Sequence, residues 1–169
     1  MMCLGYDNFI FIPIAKNGST TIKKTLLKNF GPQWDMPPQM AKYSAKPKWV
    51  MLRNPYERME STWRFFVKKG DTEDDFSTFV CKWIEEPPRD DVHLRTQKSF
   101  LDEVSCEMEA FCWEWERLGA RLGVVFPQMN MSPGDKQVWQ RYATQKFEEA
   151  YDGDIDLWAS CVTAGLAEW

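Results

Sequence analysis

The chain has 169 residues, of which 44% are hydrophobic and 27% charged. This composition is that of an ordinary globular domain, which excludes collagen, coiled coils and intrinsic disorder and predicts one domain over residues 1–169. The longest apolar runs, such as Phe9 to Ile14, are far shorter than the roughly 20 residues of a membrane-spanning helix, and the N-terminus lacks a basic region followed by an apolar stretch. We therefore expect a cytoplasmic protein with no membrane partner.

The net charge of -4 is unevenly distributed along the chain. Residues 1–70 contain 12 Lys and Arg against 4 Asp and Glu, whereas residues 71–169 contain 9 against 21. An acidic protein is a poor candidate for general nucleic-acid binding, so we expect no nucleic-acid partner. A basic half can instead attract a small polyanion, or the two halves can simply attract each other, and charge alone does not decide between these alternatives.

The cysteines are odd in number and scattered, without CxxC spacing. This pattern predicts reduced, buried thiols and argues against a disulfide framework or a zinc site, so we expect no metal. The five residues are Cys3, Cys81, Cys106, Cys112 and Cys161.

The first 47 residues predict a strand, a polar loop and a helix. Asn8–Ile12 is apolar and β-branched or aromatic, which is typical of a buried strand. Gly31 ends the helix that follows, and the proline-rich segment up to Pro47 predicts an irregular connection. The helix is indicated by apolar residues spaced along one face: Ile22, Leu26, Leu27 and Phe30.

A second strand and two helices follow. Trp49–Leu52 predicts the strand, and Pro55 suits the first turn of a helix that extends to about Lys69. Phe76–Glu85 has the clearest amphipathic pattern in the chain and ends before Pro87.

The rest of the chain predicts short strands between helices. Asp102–Cys106 and Val124–Phe126 are predicted as strands, and Glu109–Leu122, Asp135–Ala150 and Asp154–Cys161 as helices. Strands that alternate with helices favour an α/β fold with a central, mainly parallel β-sheet flanked by helices.

The loop between the first strand and its helix is a candidate anion site. Unpaired amides at a helix start favour an anion, Gly18 permits close approach, and Lys16 adds a mobile positive charge. Alternatively, Ser19 or Thr20 only caps the helix and Lys16 is only solvated. The lysine precedes the glycine, so this is not a Walker A loop. The candidate ligands are Lys16, Asn17, Gly18, Ser19, Thr20 and Thr21.

A second candidate anion site follows the second strand. Arg53 lies at its end, and Ser61 lies eight residues later within the next helix. An arginine and a hydroxyl in these places can hold one phosphate from two directions. Taken alone, the two residues favour the alternative of an ordinary surface arginine and an ordinary helix serine.

Together, the two motifs resemble those of the sulfotransferases that use 3′-phosphoadenosine 5′-phosphosulfate (PAPS). Ile12 to Thr21 (IPIAKNGSTT) is similar to the family pattern IPKxGxTS, with two residues between the proline and the lysine, and Arg53 to Ser61 (RNPYERMES) is similar to RxPxxRxxxS. The resemblance implies a P-loop-like sulfotransferase fold, PAPS as donor and PAP as product. It also implies that the first motif holds the 5′-phosphosulfate and the second the 3′-phosphate.

Three later segments are similar to motifs of the carbohydrate (Golgi-type) branch of this family. Asp91 to Gln97 (DVHLRTQ) resembles HxxxQ, Phe126 to Ser132 (FPQMNMS) resembles LPxxNxS, and Tyr151 to Trp158 (YDGDIDLW) resembles YxxDxxLF. The likeness implies sulfonate transfer to a hydroxyl-bearing acceptor, a carbohydrate or glycoconjugate. Little room remains between Phe30 and Trp49 for the inserts that shape the acceptor cleft.

Sulfonate transfer needs charge stabilisation on the leaving phosphate and a base for the acceptor. Lys16 is the candidate for the first role, and His93, the one histidine in the chain, for the second. In the family the base lies between the two cofactor motifs, where this chain has neither histidine nor glutamate, so Asp35 is the alternative base. The rival functions are a catalytically weak PAP- or PAPS-binding protein and a small nucleotide kinase, which would lack the Walker lysine.

Overall fold

The computed structural model describes residues 2–86, 91–127 and 137–166. Its strands are short, and they form one five-stranded sheet. The strands are β1 (Cys3–Gly5), β2 (Ile10–Ile12), β3 (Trp34–Met36), β4 (Lys48–Leu52) and β5 (Glu109–Cys112).

Helices form most of the remaining regular structure. They are α1 (Ser19–Phe30), α2 (Pro38–Tyr43), α3 (Pro55–Lys69), α4 (Phe76–Glu85), α5 (Gln97–Val104), α6 (Trp115–Leu122), α7 (Arg141–Ala150) and α8 (Asp152–Thr163). Within the described ranges, none of them is long and apolar enough to cross a bilayer.

The sheet is mixed, so the predicted P-loop-like sulfotransferase fold with a central, mainly parallel sheet is wrong. Its strand order is β3-β1-β2-β4-β5. β1 pairs antiparallel with both β2 and β3, whereas β2 with β4 and β4 with β5 pair in parallel. The sequence prediction missed β1 and β3 because runs of three residues are too short to show a strand period.

Several element predictions in the first half and at the C-terminus are confirmed. α3 begins at Pro55, where the side chain of Asn54 caps the first turn, and it ends at Lys69. α4 has the predicted bounds, and α8 contains the predicted helix Asp154–Cys161. α7 begins only at Arg141; the start predicted at Asp135 lies outside the described residues, as do Pro87 and Pro88.

Three predictions in the second half are wrong. Asp102–Cys106 was predicted as a strand but overlaps α5, which Thr96 caps through its hydroxyl. Glu109–Leu122 was predicted as one helix but divides into β5 and α6, because pairing with β4 over the whole length of β5 overrides the local pattern. Val124–Phe126 forms no strand in the structure.

Helices cover both faces of the sheet. Alternate strand residues such as Phe11 and Met51 pack with α1 and α6, and their neighbours Ile12 and Val50 pack with α5 and α8. A third apolar cluster joins α3, α4 and α7 beside the sheet. This layering buries β1, β2 and β4 on both sides and leaves the strand ends free to carry a site.

One cysteine prediction is wrong. Cys112 at the end of β5 and Cys161 in α8 form a disulfide, with their Cα atoms 6.5 Å apart. The two residues are 49 positions apart, so the sequence spacing gives no signal for this pair. Cys3, Cys81 and Cys106 are free thiols, and only Cys3 among them is fully buried.

Candidate active site

Three loops meet at one edge of the sheet. β2, β4 and β5 are parallel neighbours, so their carboxyl ends lie side by side. Residues 13–18, here called the lysine loop, follow β2, Arg53 follows β4 and Trp113 follows β5. The carboxyl edge of parallel strands is the usual position of ligands in α/β proteins.

The lysine loop leads directly into α1. Lys16 and Gly18 both have positive φ, 66° and 71°, and Gly18 is the N-cap of the helix without any side-chain cap. The alternative that Ser19 or Thr20 only caps α1 is therefore wrong. The amides of Ser19, Thr20 and Thr21 form the first helical turn, where backbone N–H groups have no acceptor within the helix.

Trp115 leaves room only for a glycine at position 18, and Trp113 lies close by. A Cβ on Gly18 would lie 2.4 Å from the ring of Trp115, and the left-handed backbone also disfavours a side chain there. Trp113 itself has a φ of 62°, an uncommon conformation for a bulky residue. Neither tryptophan was predicted from the sequence as a site residue, because no local pattern shows that β5 pairs with β4 and so places these rings beside the lysine loop.

Arg53 connects the lysine loop with the tryptophans. Its Nη1 donates to the Lys16 carbonyl at 3.3 Å, and its guanidinium lies 4.6 Å from the centre of the Trp113 ring. Its Nε is buried without a hydrogen-bond partner, since Glu57 at 3.6 Å forms an ion pair but is too distant for a hydrogen bond. Burial lowers the pKa of Arg53, although an arginine stays charged in a protein.

Arg58 is a buried residue of the candidate site that the sequence prediction did not include. It is 2% exposed, and its Nε donates to the Ala15 carbonyl at 3.1 Å. Its Nη2 donates to the carbonyls of Arg95 at 2.7 Å and His93 at 3.3 Å. Arg58 thus joins the lysine loop to the segment that carries His93. The sequence offered one signal for this residue, because Arg58 is the second arginine of the motif RNPYERMES.

The ammonium of Lys16 lies against an aromatic ring. Its Nζ is 4.6 Å from the centre of the Phe65 ring, a cation–π contact. The pKa of Lys16 is lowered to about 8, chiefly by burial and further by the positive charges of Arg53 and Arg58. The ammonium of Lys16 is therefore a third positive charge close to the guanidinium groups of Arg53 and Arg58.

His93 stacks on the same ring as Lys16. The centroids of the imidazole and of Phe65 are 4.5 Å apart, at an angle of 24°. Its Nδ1 is 2.8 Å from Asp91 Oδ1, which also accepts the backbone N–H of His93. The fold thus places the two residues that were predicted as catalytic against the same aromatic ring, although they are far apart in sequence.

The other predicted site residues differ in their surroundings. Asn17 is 1% exposed and donates from Nδ2 to the Met51 carbonyl at 2.8 Å, so it lies beneath the loop. Ser61 is half-buried on α3, and its hydroxyl makes no hydrogen bond within the described part of the chain. Asp35 is exposed on the edge strand β3, two strands from β2, which is about 10 Å across the sheet. The fold does not bring Asp35 to the lysine loop.

Comparisons with known proteins leave the family open: no family model, curated protein or solved structure matches the chain. Of the later segments, residues 128–132 of the FPQMNMS motif lie outside the described residues. Tyr151 of the YDGDIDLW motif donates from its hydroxyl to the Leu94 carbonyl at 2.5 Å, and Asp154 accepts two amides of α5. These two residues support the segment that carries His93.

Replacing Lys16 by methionine should raise the melting temperature at pH 7, because the folded chain no longer desolvates an ammonium beside two guanidinium groups. The pKa of Lys16 is about 8 when folded and 10.5 as the ordinary value, so between these pH values the unfolded chain binds the extra proton. The free energy of unfolding of the wild type therefore rises with pH over this range, and the difference in melting temperature between Lys16→Met and wild type becomes smaller.

Thermal denaturation from pH 7 to pH 10 measures this difference. Lys28→Met, at the exposed far end of α1, is the matched control and should show no such convergence with wild type. A Lys16→Met protein that is less stable than wild type at pH 7 would contradict the predicted cost of this charge.

Proposed function

We propose that this protein is a sulfotransferase that moves a sulfonate group from PAPS to a hydroxyl of a carbohydrate or glycoconjugate. One observation carries the proposal: the lysine loop and Arg53 lie at the ends of the parallel neighbours β2 and β4, and Arg53 Nη1 donates to the Lys16 carbonyl at 3.3 Å. A guanidinium this close to the backbone of the lysine loop allows Arg53 and the loop to hold two anionic groups of one small ligand.

The surroundings of the lysine loop fit the 5′-phosphosulfate. The uncapped first turn of α1 presents free amides and the positive end of the helix dipole. Lys16 has no salt bridge to a carboxylate within the described ranges; its neighbours are Phe65 and two arginines. The site therefore lacks an internal counter-charge for Lys16, which an anionic donor would supply.

Arg53 and Ser61 are the proposed partners of the 3′-phosphate. Arg53 Nε is buried and has no hydrogen-bond acceptor, so an added phosphate oxygen would satisfy it. A cation–π contact with Trp113, with 4.6 Å between the guanidinium carbon and the ring centre, restricts the motion of the guanidinium. The hydroxyl of Ser61 is free to donate.

In the transfer, the acceptor oxygen bonds to sulfur as the bond from sulfur to the bridging phosphate oxygen breaks, and the hydroxyl proton passes to His93. Lys16 stabilises the charge that develops on the leaving oxygen. Asp91 accepts a hydrogen bond from Nδ1–H of His93, which leaves the lone pair on Nε2 to accept the proton.

Replacing His93 by asparagine should lower kcat about 10²–10⁴-fold and leave the Kd of PAP nearly unchanged, because the imidazole acts on the acceptor. Asp35→Asn is the matched control: it removes the alternative base, which lies two strands from β2, and should retain near-normal turnover. Steady-state kinetics with PAPS and an accepted sugar measure both variants. Normal turnover of His93→Asn together with an inactive Asp35→Asn would reverse the assignment.

Incubation with labelled PAPS and a panel of sugars tests the function itself. Label transfer to a sugar hydroxyl supports the proposal, whereas tight PAP binding without transfer to any acceptor supports a binding protein. Preference for ATP over PAP would favour a nucleotide kinase.

The compartment stays a prediction. Cytoplasmic location was predicted from the sequence, and the disulfide between Cys112 and Cys161 argues against it, because disulfides are rare in reducing compartments. The expectation from the sequence that the protein has no nucleic-acid partner and no membrane partner likewise stays a prediction.

A further inference from the structure

The side chain of Gln97 holds both backbone polar groups of Arg53. Gln97 Oε1 accepts the Arg53 N–H at 3.0 Å, and Gln97 Nε2 donates to the Arg53 carbonyl at 2.9 Å. The same Oε1 accepts from Asn17 Nδ2 at 2.5 Å. One amide, 1% exposed, therefore binds the residue after β4 and the residue after Lys16.

Gln97 is itself fixed from behind. It is the first residue of α5, and its backbone N–H donates to Asp154 Oδ2 at 2.8 Å, while the next amide, of Lys98, donates to Oδ1 at 2.7 Å. Asp154 is fully buried in α8. The carboxylate at the start of α5 thus anchors the residue whose side chain reaches both anion motifs.

We infer that Gln97 is a positioning residue that sets the distance between the lysine loop and Arg53, so that the two phosphate groups of one nucleotide are held at the same time. The inference rests on the proposed function. Gln97 touches neither phosphate in this scheme; it acts through Arg53 and Asn17.

A fixed spacing matters only for a ligand that occupies both places. Two anionic groups on one nucleotide reinforce each other when their sites are held at the matching distance, and that gain is lost when the spacing relaxes. A nucleotide with one phosphate uses one place and is indifferent to the spacing. Loss of Gln97 should therefore weaken PAP selectively.

The test compares Kd values for PAP, adenosine 5′-monophosphate and adenosine 3′-monophosphate in wild type, Gln97→Leu and Gln97→Glu. In Gln97→Leu, PAP binding should weaken about 10-fold, in line with the loss of buried hydrogen bonds, and each monophosphate less than about 3-fold. Gln145→Leu, which removes the same amide from the exposed face of α7, is the control and should change none of them.

Gln97→Glu separates the two bonds to Arg53 and serves if Gln97→Leu does not fold. Its carboxylate can still accept the Arg53 N–H but no longer donates to the Arg53 carbonyl. Hydrogen exchange at the Arg53 amide should therefore accelerate in Gln97→Leu and stay slow in Gln97→Glu, whereas PAP should weaken in both.

Equal weakening of PAP and both monophosphates, or unchanged PAP binding, would overturn the inference. If wild type binds none of the three nucleotides, the proposed function fails and the two-phosphate role of Gln97 fails with it. Exchange at the Arg53 amide then still reports whether Gln97 holds Arg53, which keeps the two failures distinguishable.

Discussion

Replacement of Lys16 by alanine is expected to lower kcat about 10²–10³-fold while PAP retains most of its affinity, because the ammonium acts mainly on charge that develops as the bridging bond breaks. The ground-state donor keeps the amides at the start of α1 and the guanidinium of Arg53. Parallel measurement of kcat and of the PAP Kd checks this split.

The pH profile gives a second measure of the same residue. Lys16 must be protonated to act, and its pKa in the free protein is about 8, so kcat/KM should fall as pH rises through that value. In Lys16→Arg the charge does not titrate in this range, so the decline near pH 8 should be absent even if the rate is lower.

Lys28→Ala is the control for the charge change, since it removes a lysine roughly 14 Å further along α1. It should leave kcat and its pH dependence unchanged. Full activity of Lys16→Ala would mean that another cation near the loop, Lys23 or Lys24, serves the leaving group.

The sequence predicted the residues whose signals are local. Lys16 and Gly18 stand between an apolar run and a helical pattern, and Arg53 follows the next apolar run, so both strand ends could be identified without tertiary information. The order of the antiparallel strands could not be predicted from the sequence. β1 and β3 contain three residues each, and only their pairing places them in the sheet.

The connections between the motifs depend on packing over long sequence separations. Phe65 meets Lys16 and His93, and Gln97 meets Asn17 and Arg53, through contacts that no local period encodes. The HxxxQ pattern drew attention to His93 as a base. The structure shows that its glutamine has the more extensive set of bonds.

Arg53→Ala should weaken PAP roughly 10- to 100-fold, because a charge-assisted contact to a phosphate contributes about 1.5–3 kcal/mol. Adenosine 5′-phosphosulfate lacks the 3′-phosphate and should lose little affinity. The substitution leaves the backbone of Arg53 bonded to Gln97, so the change reports on the guanidinium. Calorimetric Kd values for both ligands measure it.

Two further variants show whether the positive charge of Arg53 and its guanidinium group both act on the 3′-phosphate. Arg53→Lys keeps the charge but loses the guanidinium that lies against the Trp113 ring, so it should recover only part of the PAP affinity. Arg141→Ala, at an exposed position at the start of α7, is the control and should bind both ligands as wild type does.

Ser61 provides the last step of this test. If Arg53 and Ser61 hold one phosphate, Ser61→Ala should weaken PAP less than Arg53→Ala does, and the double variant should weaken it by less than the sum of the two free-energy changes. Strictly additive effects would place the two side chains on separate parts of the ligand. Equal weakening of PAP and adenosine 5′-phosphosulfate by Arg53→Ala would remove Arg53 from the 3′-phosphate and assign it to the 5′ side, where it already bonds the carbonyl of Lys16.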